Sequence, residues 1–116
     1  MKYQITSDNI ELTPSMETLT KQKFERLENK MKDFAEDTKH ARVVINTAPE
    51  GMFLVKAQVK VGNKEYFSDE TSFSVEAALI KMVEELFQMM EKEKAHTERK
   101  KKDKIEAVIE ELTLEQ

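Results

Sequence analysis

The sequence predicts an α+β domain with the element order β-α-β-β-β-α: a four-stranded, mainly antiparallel sheet with two helices packed on one face. A charged C-terminal tail, helical or disordered, follows it. Three observations lead there. Two apolar-faced stretches each stand behind an N-cap signal, Thr13-Pro14 and Ser74. Between them, His40 to Ser68 carries strand-like alternation. Lys2 to Thr6 alternates in the same way before the first helix.

In Lys2 to Thr6, Tyr3 and Ile5 share one face while Lys2, Gln4 and Thr6 share the other. Ser7-Asp8-Asn9 is turn chemistry. Thr13 is a good N-cap and Pro14 a favoured first helical residue, because its missing N–H is one the helix could not bond. Met16, Leu19, Thr20, Phe24, Leu27 and Met31 form the apolar stripe of a helix expected to reach about Lys32. Lys23, Arg26 and Lys30 make a separate basic row at i, i+3, i+7.

Ala41, Val43 and Ile45 alternate with Arg42, Val44 and Asn46, and Thr47 to Gly51 breaks that strand. Phe53, Val55, Ala57, Val59 and Val61 then alternate with Leu54, Lys56, Gln58 and Lys60. Gly62-Asn63-Lys64 turns the chain into a last strand over Glu65 to Ser68, so these three strands form an antiparallel meander. One sheet face is apolar and needs covering. The other carries Lys2, Gln4, Arg42, Lys56 and Lys60 and should meet solvent or a polar partner. Behind Ser74, the apolar residues from Val75 to Met90 fill roughly 200° of the wheel, wider than the ~100° stripe of a surface helix. Burial against both the sheet and the first helix, or against a second copy, would explain that width.

At 116 residues the chain holds one domain, expected over 1–94 with a charged extension over 95–116. It has no cysteine, no apolar run long enough to span a membrane and no secretory signal, which fits a cytoplasmic protein. Net charge is −4, unevenly spread. Residues 92–104 hold seven basic groups against three acidic ones, whereas residues 105–116 hold four Glu and no basic residue. Catalysis fares badly. His40 and His96 stand in no metal-ligand or base–nucleophile spacing, and the two glycines build no phosphate loop. No cofactor, metal, catalytic residue or small-molecule substrate is expected.

The run Met1 to Met16, with its Asn9-apolar-Glu11-apolar-Thr13 step and capped helix, resembles the opening of the ribosome hibernation-promoting factor family, also called ribosome-associated inhibitor or sigma-54 modulation proteins. Lys23-Phe24-Glu25-Arg26-Leu27-Glu28 is similar to that family's Lys-Phe-x-Lys-Leu-Glu signature, and the Val-rich meander and Glu76 to Lys94 resemble its remaining elements. The chain looks like a short form, without the family's second, dimerising domain. Glu85 and Gln88 stand where the family usually carries basic residues, which should weaken phosphate contact. The resemblance implies a non-enzymatic factor of stress or stationary phase that binds the small ribosomal subunit and its ribosomal RNA and occludes the mRNA/tRNA channel. Lys23, Arg26, Lys30, Lys92 and Lys94 are its expected RNA contacts, seconded by Arg99, Lys100, Lys101 and Lys102. The alternative is a protein-binding or self-associating module on the same scaffold, dimerising through the second helix.

Overall fold

The computed structural model describes residues 1–93. The elements are β1 (Lys2–Thr6), α1 (Pro14–Lys30), β2 (Lys39–Ala48), β3 (Met52–Val61), β4 (Lys64–Ser72) and α2 (residues 75–93). The expected order is therefore the observed one. Short 3₁₀ turns at Glu36–Thr38 and Pro49–Gly51 precede β2 and β3.

Both helix starts follow the cap chemistry. The Met16 N–H donates to the Thr13 hydroxyl at 3.2 Å, and the Ala77 N–H donates to the Ser74 hydroxyl at 3.1 Å. The sheet runs β1-β2-β3-β4. β1 and β2 pair in parallel across the α1 crossover, while β2–β3 and β3–β4 pair antiparallel. Gly62, at φ 58, takes the first central position of the two-residue β3–β4 turn, where an L side chain would be strained.

β4 is longer than the expected Glu65 to Ser68. It pairs along β3 as far as Phe53↔Ser72, because its α2-facing side is polar but partnered: Ser68 and Tyr66 donate to glutamates of α2. The chain after β1 is pinned rather than merely turned. Asn9 accepts from the Thr47 N–H at 2.9 Å and donates to the Thr47 carbonyl at 3.2 Å.

The core lies between the sheet and both helices. Phe24, Leu27 and Met31 come from α1 and the turn after it, Ala41, Val43, Ile45, Val55, Ala57, Val59 and Val61 from the sheet, and Val75, Ala78, Leu79, Met82, Val83, Leu86 and Met90 from α2. Most of the wide apolar face of α2 is thus consumed within one chain. Ile80 and Met89 stay exposed, and nine residues at ~100° each place them half a turn apart around the helix.

Candidate nucleic-acid interface

The basic row of α1 is spent along the seam with α2. Lys23 pairs with Glu76 at 3.3 Å, Arg26 hydrogen-bonds Glu84, and Lys30 pairs with Glu91. Those partners belong to the α2 stripe Glu76-Ile80-Glu84-Phe87-Glu91, whose three-to-four spacing presents one edge of the helix. Because residue numbers rise together in all three pairs, the helices lie side by side in the same direction. The Arg26 guanidinium also lies 4.0 Å from the centre of the Phe87 ring, and the Lys30 ammonium lies 5.3 Å from it. At each of these three cations a carboxylate competes with any phosphate that approaches.

Other glutamates of α2 tie it to β4. The Ser68 hydroxyl donates to Glu85 at 2.6 Å. Its hydrogen bond with Glu85 raises the Glu70 pKa, while Glu70 first and then Ser68 lower that of Glu85. Glu93 takes the Lys64 ammonium at 2.8 Å and the Tyr66 hydroxyl at 2.6 Å. Lys64 first, then Tyr66, lowers the Glu93 pKa, while burial and the Glu93 charge push the Tyr66 hydroxyl up. Glu85 therefore stands in a structural contact where a basic residue was expected, and not on an open phosphate-binding face. Lys92 is exposed and has no ion pair among the described residues. Lys94, Arg99, Lys100, Lys101 and Lys102, with the rest of the tail, lie outside the described residues.

The opposite face of the sheet has a different character. β-pairing lines up Lys2, His40, Lys60 and Glu65 in one cross-strand row. The next row is Gln4, Arg42, Gln58 and Phe67, and the third is Thr6, Val44, Lys56 and Asp69. Among the described residues no helix covers these rows. Lys2, His40, Arg42, Lys56 and Lys60 are all exposed. Among the described residues the acidic contact to these five is Glu65, 4.0 Å from Lys60. A shallow depression of about 300 Å³ crosses the first two rows, lined by Lys2, Gln4, His40, Arg42, Gln58 and Lys60. An acidic chain thus gathers Lys2, Arg42, Lys56 and Lys60, of which Lys60 alone has a carboxylate partner among the described residues, on one sheet surface some 14 Å across, at ~4.8 Å per strand.

Sequence reasoning placed Lys2, Gln4, Arg42, Lys56 and Lys60 on one polar sheet face without assigning them a role. It missed His40 as their neighbour and Phe67 entirely. The period-two phase of Lys56 to Lys60, carried across the Gly62 turn, was the available signal.

Among the described residues no cluster of His, Asp and Glu is placed to hold a metal ion, and no helix is long and apolar enough to cross a membrane. No curated protein matches the sequence. Solved structures that share the fold include the following two. The Protein Y N-terminal domain of Thermus thermophilus superposes with a TM-score of 0.69 at 20% identity, covering 79% of this chain and 98% of that one. A ribosomal subunit interface protein from Coxiella burnetii superposes with a TM-score of 0.66 at 18% identity, covering 82% and 99%. Residues 3–98 match the model of the sigma 54 modulation protein / S30EA ribosomal protein family, and the chain belongs to that family.

Proposed function

We propose that the protein is a non-enzymatic ribosome-binding factor that occupies the mRNA/tRNA channel of the small subunit and silences translation in stress or stationary phase. Family membership supports the ribosome as partner. The geometric observation that carries the reading is the uncovered sheet face. Four cationic side chains, Lys2, Arg42, Lys56 and Lys60, stand together there while the helical basic row is already paired with glutamates. Contacts with ribosomal RNA phosphates come chiefly from Lys2, Arg42, Lys56 and Lys60, with Lys92, Lys94 and Arg99 to Lys102 as a second group. Lys23, Arg26 and Lys30 join where phosphate outcompetes their glutamates. Binding blocks the channel sterically, and no bond is made or broken.

Purified protein mixed with small subunits tests this by sedimentation through sucrose. It should travel with the subunits at low salt and be released by several hundred millimolar salt, as multiple phosphate contacts require. Protein left at the top of the gradient at low salt would refute the reading. Self-association through α2 is the weaker reading, since Ile80 and Met89 lie on opposite sides of the helix and form no single patch.

A further inference from the structure

Phe67 is an anomaly on the sheet. It sits in β4 on the face that no helix covers among the described residues, and 58% of its surface is exposed to water. Its direct cross-strand partner is Gln58, with Lys56 and Lys60 diagonal to it and Arg42 one strand further along the same row. A phenyl ring left open there gains little from folding, because its neighbours on that face, Gln58, Lys56 and Lys60 across the strand pair and Glu65 and Asp69 on its own strand, are polar and do not bury it, and Met89 only borders it at the sheet edge. The arrangement does supply what an unpaired base needs: a flat apolar surface for the π-face, the Gln58 amide beside it for a base edge, and Lys56 and Lys60 diagonal to it for the backbone. A duplex cannot use the ring, because its bases are stacked on one another and offer only edges and phosphates.

We propose that Phe67 is a stacking platform for an unpaired base of single-stranded RNA, with Arg42, Lys56 and Lys60 holding the flanking phosphates. The proposal rests on the reading of this face as the RNA-contacting surface and names the kind of RNA it takes. The row Gln4-Arg42-Gln58-Phe67 gives the strand a path across the sheet, between the phenyl ring at the β4 edge and the depression over β1 and β2.

The chain has no tryptophan, so Phe67→Trp creates a single fluorescent reporter at the site. Adding a short oligoadenylate should quench its emission, and adding a blunt-ended, loop-free duplex of equal charge should not. Phe67→Ala should weaken oligoadenylate binding by roughly tenfold or more while leaving the salt slope unchanged, since stacking carries no counterion release. Phe67→Tyr should bind like the parent. An unchanged affinity for Phe67→Ala, or equal quenching by the duplex, would overturn the stacking assignment. So would a parent dimer that Phe67→Ala dissolves, which would give the ring to self-association. The two readings fail separately. Parent protein that sediments with small subunits while Phe67→Ala sediments equally well loses only the platform, whereas parent protein that does not sediment at all loses the ribosome reading.

Discussion

The Arg26 guanidinium lies over the Phe87 ring, 4.0 Å from its centre, and hydrogen-bonds Glu84 one helical turn before that ring. One side chain of α1 thus engages both the apolar and the acidic parts of the α2 edge. The cation–π contact and the ion pair share a partner, so neither is removed alone by deleting Arg26. Phe87→Leu, which keeps most of the apolar volume and removes the ring, should cost about 0.5–1 kcal/mol. Thermal melts would read this as a fall of a few degrees. An unchanged melting temperature would show that the ring contributes no more than its bulk.

Reversing Lys23, Arg26 and Lys30 together to Glu should destabilise the domain, because six carboxylates would then line the seam with Glu76, Glu84 and Glu91. Each pair is half-exposed and worth roughly 0.2–1 kcal/mol, so loss plus repulsion should total about 2 kcal/mol. Changing Glu76, Glu84 and Glu91 to Lys in the same chain should restore most of that loss. A triple reversal that melts like the parent would mean the pairs are solvated in solution, and the row free for phosphate after all.

The Glu36 carboxylate gathers the Lys39 ammonium, at 2.7 Å, and the α-amino group of Met1, and the first of these above all pulls its pKa down to about 2. A carboxyl depressed in the folded state stabilises it fully above the unfolded value near 4.5 and loses that contribution as pH falls toward 2. Glu93, lowered by Lys64 and Tyr66, acts in the same direction, and Glu70, raised by Glu85, acts against both. Glu36→Gln should therefore melt below the parent at neutral pH, with the gap closing between about pH 4.5 and pH 2. A gap that stays constant across that range would remove the ionic explanation.

The fold was legible because every element carried a local signal. Thr13-Pro14 and Ser74 opened the helices, and Phe53 to Val61 alternated cleanly. The expected α1 ran two residues too far, to Lys32, because Met31 continues the apolar stripe although its backbone is no longer helical, at φ −107 and ψ 14. The interface was only half legible. A helical wheel shows that Lys23, Arg26 and Lys30 leave the apolar stripe, but not that a second helix will lie against that edge with its acids in register. That depends on how both helices settle on the twisted sheet. Phe67 escaped notice because a phenylalanine in a strand reads as core until the phase of the neighbouring strand is known.

The acidic end, residues 105–116, lies outside the described residues, but α2 delivers the chain toward it from a defined place. Glu93 is tied to Lys64 at the start of β4, beside Lys60 and the basic face. Deleting 105–116 should tighten RNA binding and leave the melting temperature unchanged, because four Glu no longer compete with phosphate. Docking of Ile105, Val108, Ile109 and Leu112 around Phe87 is the opposing outcome. Truncation would then lower the melting temperature by several degrees, as loss of ~1 kcal/mol does. Arg26 and Lys30 already cover that ring, which favours the first outcome.

The most direct test of the sheet face as the ribosome-contacting surface is low-salt sedimentation with small subunits of a triple variant, Arg42→Glu, Lys56→Glu and Lys60→Glu. All three side chains are exposed and none is built into the core, so the fold should melt within a few degrees of the parent. The variant should remain in the soluble fraction while the parent travels with the subunits. A variant that still sediments with them would place the contact elsewhere on the molecule and contradict the account.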